Sequence, residues 1–197
     1  GRIAAAIGER SNAWVNTWGR MTPWYHQMRS QDCDGPVRFG IEGGSWGLAC
    51  NAIHFLDLMA WWTNEHLVMV NADGLDDDWL PGKRPGNLEV SGVLTASYSG
   101  GTSGRLCASP PESGDIVAGR EDPTRMWIER ETLLWHVTDP CSVAEGVATR
   151  PDGREFRGQI ELQSERTAPL VDGLIDTGTC ELTDLETSVK QHRALLH

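Results

Sequence analysis

Basic residues are scarce in this chain. Its 197 residues carry 17 lysines and arginines against 28 aspartates and glutamates, a formal net charge of -11, and only two of the bases are lysines, Lys83 and Lys190. A phosphate backbone is repelled by such a field unless a local basic patch overrides it. Arg120, Arg125 and Arg130 are spread through strand-like sequence, and Arg150, Arg154 and Arg157 surround a turn. Neither group reads as a patch, so no nucleic-acid partner is expected. Long apolar runs are missing too. None reaches the roughly 18 residues of a membrane span, and the N-terminus lacks a basic region, apolar core and cleavage site in succession, so the chain reads as soluble with no membrane partner. The five cysteines, Cys33, Cys50, Cys107, Cys141 and Cys180, form no C-x-x-C pair. That excludes the common zinc and dithiol redox spacings and points to reduced thiols in the cytoplasm. No G-x-G-x-x-G opens a helix anywhere, which leaves out the fingerprint of a dinucleotide-binding unit.

What is present suits one domain, since this length supports a real hydrophobic core and would cramp two. The richest stretch runs from Glu42 to Thr63, EGGSWGLACNAIHFLDLMAWWT. Gly43 and Gly44 allow a sharp turn or a close approach to a ligand. On the helix that follows, Ala49, Ile53, Leu56 and Ala60 share one face while Cys50, His54, Asp57 and Trp61 share another. Polar chemistry therefore lines one stripe. An apolar-set histidine is either a hydrogen-bonded core residue or a group turned to a ligand. A metal reading of His54, Asp57 and Cys50 lacks the three or four converging ligands and second shell of a real site, so no metal is expected. A hydrolase reading, with Cys50 as nucleophile and His54 as base, is geometrically conceivable on one helix face but has no evident oxyanion hole.

Two other features are weighed in the same way. The segment Asp73 to Asp78 offers several hard oxygens yet lacks the alternating ligands and closing glutamate of an EF-hand loop, and reads as a solvated loop. Nine tryptophans are many for this length. Trp14, Trp18 and Trp24 are suited either to stacking on sugar rings or to filling the core.

Local signals outline the rest. Arg2 to Arg10 reads as the last turns of a helix and Ala13 to Asn16 as a strand, an opening that looks cut from something longer. Thr22 as N-cap and Pro23 at the first helical position predict a helix to about Cys33. Strands are expected at Val37–Glu42, His66–Ala72, Leu88–Tyr98, Ser103–Ser109, Asp115–Arg120, Arg125–Arg130, Thr132–Val137 and Glu155–Leu162. Ser99-Gly100-Gly101-Thr102 is a hairpin signal, and Asp152-Gly153 marks another turn. Helices at about Ser164–Asp176 and Thr183–Leu196, parted by Gly178, close the chain. Strands grouped between helices predict an α+β fold, a largely antiparallel open-faced sheet with helices packed on one face.

Three segments in order carry a likeness. They are Gly43-Gly44-Ser45-Trp46-Gly47 with Cys50-Asn51-Ala52-Ile53-His54-Phe55-Leu56-Asp57, then Val15 through Tyr25, and Gly178 through Glu186 with His192 through Leu196. Together they resemble the second domain of the Gfo/Idh/MocA family of NAD(P)-dependent sugar oxidoreductases, over nearly the whole chain. The resemblance implies residues 1–18 as a remnant or linker from a missing N-terminal Rossmann domain and residues 19–197 as a substrate-binding and oligomerisation domain. It implies hydride transfer between NAD or NADP, bound mainly by the missing domain, and a sugar, cyclitol or related polyol. It further implies His54 as catalytic residue, Asn51, Cys50, Arg20 and Trp46 as substrate-binding residues, and a homodimer or tetramer through the sheet face. Val93, Leu106, Trp127 and Trp135 are the candidates for that interface.

Departures accompany the likeness. The family's catalytic lysine lies in a Glu-Lys-Pro segment, and neither Lys83 nor Lys190 precedes proline. Relatives carry an acid four residues before the helix histidine, where this chain has Cys50. A buried neutral thiol there does not raise the imidazole pKa as a carboxylate does, so His54 is expected to bind or polarise substrate, with Asn51 hydrogen-bonding a hydroxyl and Arg20 holding an anionic or polyhydroxyl part. The expectation is an oxidoreductase fragment without turnover of its own. The alternative is a non-catalytic carbohydrate-binding or assembly module of the same fold.

Overall fold

The computed structural model describes residues 13–32, 35–44, 46–82, 84–110, 124–131, 133–138, 140 and 145–196. In chain order the elements are β1 (Trp14–Val15), a 3-10 turn (Trp18–Met21), α1 (Pro23–Arg29), β2 (Arg38–Gly43), α2 (Leu48–Thr63), β3 (Leu67–Leu75), β4 (Leu80–Pro81) and β5 (Leu88–Glu89). Next come β6 (Gly92–Tyr98), β7 (Ser103–Ala108), β8 (Arg125–Arg130), β9 (Leu133–Thr138), β10 (Gly146–Thr149), β11 (Glu155–Gly158), α3 (Gln163–Thr177), β12 (Thr183–Asp184) and α4 (Leu185–Leu196). The expected helical turns at Arg2–Arg10 and the expected strand Asp115–Arg120 lie outside the described residues.

Eight strands make one sheet in the order β11-β10-β9-β8-β2-β7-β6-β3. Every pairing is antiparallel except that of β2 with β7. Hairpins account for the antiparallel neighbours, and the parallel pair arises because β2 is inserted between β7 and β8. The fold is α+β, with a large, mostly antiparallel sheet.

The core lies on one face of that sheet. Phe39 and Ile41 of β2, Leu94 and Ala96 of β6, Leu106 of β7, Met126 and Ile128 of β8 and Trp135 of β9 point into it. From the other side come Trp24, Tyr25 and Met28 of α1 and Leu48, Ala52, Phe55, Leu56, Met59 and Trp62 of α2. The sequence expectation for the open face is corrected here. Leu106 and Trp135 are 0 % exposed and belong to the core side. The register sets this: Leu106 stands opposite Leu94, so it is Cys107, opposite Val93, that turns the other way. Val93 and Trp127 do lie on the open face, where Trp127 covers Gly40 and Arg38 pairs with Glu129 at 2.6 Å.

Several boundaries also move. The expected strand Leu88–Tyr98 is broken into β5 and β6 before Gly92, whose φ of 103° no β-branched residue adopts comfortably. The strand from Glu155 stops at Gly158, β10 has no counterpart in the sequence reading, and α1 ends at Arg29. Thr22 does stand at the N-cap of α1 ahead of Pro23, but makes no side-chain cap; its hydroxyl instead donates to the Trp18 carbonyl at 3.4 Å. Gly178 ends α3 in the left-handed conformation with its N–H on the Leu174 carbonyl.

Early and late segments of the described residues meet at α2. β1 pairs with β12, Trp14 opposite Asp184, and α4 lies against both α2 and β3. The 3-10 turn rests on the middle of α2, close enough that a Cβ on Gly19 would touch Leu58 at 3.2 Å.

Candidate functional site

The helix α2 begins at a backbone turn that only glycine makes easily. Gly47, its N-cap, has φ 84° and no side chain to offer the first turn. Glu89 of β5 supplies the missing acceptor: its Oε2 takes the Ala49 N–H at 2.9 Å, and the residue is buried. Asn51 folds back so that its Nδ2 donates to the Trp46 carbonyl at 2.7 Å. Trp46 is a core residue, with its indole N–H on the Cys107 carbonyl at 2.8 Å and its ring edge-on to Phe55. Thus Trp46, Asn51 and Glu89 together shape the start of the helix.

Cys50 sits in this first turn and is exposed. The expectation of a buried thiol is corrected: at the helix end it faces Glu89 and Arg84 rather than core. Hydrogen bonding to the Glu89 carboxylate, reinforced by some burial and by the carboxylate's charge, holds the thiol above its ordinary pKa, with Arg84 opposing. A thiol kept protonated is a poor nucleophile, which argues against the hydrolase reading.

One turn on, the half-buried His54 ring lies tilted against the Trp18 indole, with ring centroids 5.6 Å apart. Burial pushes the imidazole below its ordinary value of 6.5; the Asp57 charge opposes this and His192 adds to it. The ring is therefore neutral at pH 7. Its Nδ1 is buried and has no hydrogen-bond partner among the described residues.

Asp57, fully buried, is the most heavily bonded carboxylate of this region. Arg20 Nε and Nη2 donate to its two oxygens at 2.9 and 2.6 Å. The Thr183 hydroxyl donates at 2.6 Å and Gln191 Nε2 at 3.0 Å, both to Oδ1. Thr17 and Thr183 hydroxyls lie 2.7 Å apart beside it. Arg20, expected to hold an anionic part of a substrate, is here engaged in a bidentate pair with Asp57. Removing one partner of such a buried pair costs about 3–5 kcal/mol.

The expected residues thus fall into two neighbouring groups. Trp46, Cys50 and Asn51 belong to the helix start, while His54 and Arg20 belong with Asp57 to its middle. Glu89, Thr183, Gln191 and His192 were not read as site residues, because nothing in their spacing ties them to α2. No three potential metal-ligating residues come together among the described residues, and no described helix is long and apolar enough to cross a membrane.

No family model matches the chain, and no curated protein matches it in sequence. Solved structures do share its fold. Aldose-aldose oxidoreductase from Caulobacter crescentus superposes over 94% of this chain with a TM-score of 0.62 at 13% identity. UDP-N-acetylglucosamine 3-dehydrogenase from Acidithiobacillus ferrooxidans does so over 91% at 0.57 and 16%. At these identities the likeness is one of fold, which the chain shares with part of each of these oxidoreductases. A super-repressor mutant of Gal80p from Saccharomyces cerevisiae shares the fold as well, over 99% of the chain at 0.61 and 13%. The chain spans 58% of the length of the dehydrogenase, 60% of the aldose-aldose oxidoreductase and 64% of the Gal80p mutant.

A dinucleotide can be tested against these residues. Its phosphates favour a helix N-terminus with free N–H groups. At the glycine turn of α2 that position is taken by the Glu89 carboxylate on Ala49, which repels a second anion. The start of α2 does not fit a pyrophosphate.

Proposed function

We propose that this chain is the substrate-binding and assembly domain of an NAD(P)-dependent oxidoreductase acting on a sugar, cyclitol or related polyol, and that it has no turnover alone. The reading rests on His54: a neutral, half-buried imidazole beside a tryptophan ring, on the helix that follows the glycine turn. An aromatic face binds the apolar side of a sugar ring, and an imidazole meets its hydroxyl. With Nδ1 buried, Nε2 is the end turned to a ligand. An orphaned acceptor costs less than an orphaned N–H, so the proton sits on Nε2 and is donated to a substrate oxygen. His54 then polarises the substrate rather than serving as half of a carboxylate-imidazole dyad. Asn51 orients a neighbouring hydroxyl, Cys50 lies at the open edge and Trp46 braces the turn from beneath.

Oxidation of the alcohol needs a hydride acceptor held by residues other than these. The open sheet face with Val93 and Trp127 is the assembly surface in this reading, giving a homodimer or tetramer. Free thiols at Cys50, Cys107 and Cys180 support a reducing compartment, the cytoplasm.

Isothermal titration with simple polyols and sugar acids tests the site. Binding is expected in the wild type, is lost in His54→Phe and is partly kept in His54→Gln, whose amide N–H falls near the position of Nε2. Equal binding by wild type and His54→Phe would remove His54 from the site. A robust NAD(P)H-coupled rate from the purified chain would refute the division of labour.

A second reading is a non-catalytic carbohydrate-binding or assembly module. Cys50 in place of an acid favours it, as does the shared fold of a repressor. Ligand binding that is indifferent to added nicotinamide cofactor, even with a Rossmann partner supplied, would give it precedence.

A further inference from the structure

We propose that Asp57 is a positioning residue for His54: through Arg20 and Gln191 it clamps the 3-10 turn and α4 onto α2, so that Trp18 and His192 flank the imidazole in a set geometry. This rests on the reading of His54 as the group that faces a ligand.

Two of the three residues that donate to Asp57 are close chain neighbours of a group that acts on His54. Arg20 shares the four-residue 3-10 turn with Trp18, whose ring lies against the imidazole. Gln191 directly precedes His192, which lies near enough to depress the His54 pKa. Asp57 is three residues after His54 on the same helix and so lies one turn below it. The Thr183 hydroxyl, from β12, adds a third arm to the same oxygen that Gln191 bonds. One carboxylate thereby gathers four donors from three separate parts of the chain. His192 is itself held, with Nδ1 2.8 Å from the Ser188 carbonyl. Asp57 and His192 are the two titratable groups that act on His54. Nothing in a helix-packing role alone requires a fully buried charge at this point, since an apolar residue of similar volume packs as well or better.

The test separates the clamp from general stability. Gln191→Met keeps the size of the side chain and the Arg20–Asp57 pair but removes the bond from α4. His54 is followed by NMR titration of its ring protons and identified by their loss in His54→Phe, with near-UV circular dichroism to show that the variant is folded. The expected result is a His54 midpoint that rises toward the ordinary value near 6.5, as α4 loosens and water reaches the ring. A folded variant whose His54 midpoint stays put would overturn the proposal and leave Asp57 a structural residue. Where Gln191→Met does not fold, Thr183→Val removes a different donor from the same carboxylate and is read in the same way. The measurement needs no substrate, so it can fail while the ligand-binding reading stands, and the reverse holds equally.

Discussion

Glu89 Oε2 accepts the Ala49 N–H at 2.9 Å, placing a carboxylate from a short strand at the N-terminus of the helix that carries His54. The two residues are far apart in sequence, and the helix's own N-cap, Gly47, has no side chain to do this work. The contact also sets the chemistry of Cys50 next door, whose thiol it keeps protonated.

Replacing Glu89 by glutamine is therefore expected to act twice. Losing the charge at the helix start costs about 1 kcal/mol of stability, read as a lower urea midpoint. The Cys50 pKa falls, so more thiolate is present at pH 8 and alkylation by iodoacetamide speeds up. Cys50→Ser identifies the modified thiol. An unchanged or slower rate in folded Glu89→Gln would contradict the hydrogen bond as the cause of the raised pKa.

Stability should fall as the solution is acidified through the histidine range. In the unfolded chain His54 titrates near 6.5, and in the folded chain burial holds it lower. Between the two values the unfolded state binds a proton that the folded state does not. The contribution is thus full above pH 6.5, declines as pH drops and levels off below the folded pKa. Denaturation midpoints measured from pH 8 to 5 are expected to show a shallower slope for His54→Asn than for the wild type. Equal slopes would mean that burial does not govern this imidazole.

Trp127 offers a direct reading of the open face. Its indole lies over Gly40, away from the helices, with Arg38 and Glu129 close by on β2 and β8. In the proposed assembly, Trp127→Glu is expected to give a monomer in sedimentation velocity where the wild type gives an oligomer, while leaving far-UV circular dichroism unchanged. A wild type already monomeric at tens of micromolar would sink the assembly role of this face.

Much of the local structure was legible because its causes are local. The Glu42–Thr63 run announced the strand end and the helix, which fall at β2 and α2, but the turn read at Gly43-Gly44 is displaced: Gly43 ends β2, and the left-handed glycine that opens the helix is Gly47. Thr22-Pro23 placed the start of α1, Gly178 the end of α3, and the β8 strand was read to the residue. Failures cluster where a partner decides. The short run Gly146–Thr149 becomes β10 only because it lies between β9 and β11. Alternation marked Leu106 and Trp135 as apolar strand positions, but which face they take follows from the register.

The site divides along the same line. The helical period put His54 and Asp57 on one stripe of α2, and that follows from sequence spacing and 3.6 residues per turn. Whether Asp57 would hold a metal, meet solvent or bind Arg20 depended on residues brought from the two ends of the chain. Likewise the glycine turn was visible, while the carboxylate that closes it came from β5. Backbone conformation answers to near neighbours, so the sequence by itself determined the helices, the turns and the α+β order. Burial, pairing and charge answer to whatever packs alongside, so only the tertiary structure decided that Asp57 is bound within the fold, that Cys50 is exposed and that the His54 ring is half-buried against Trp18.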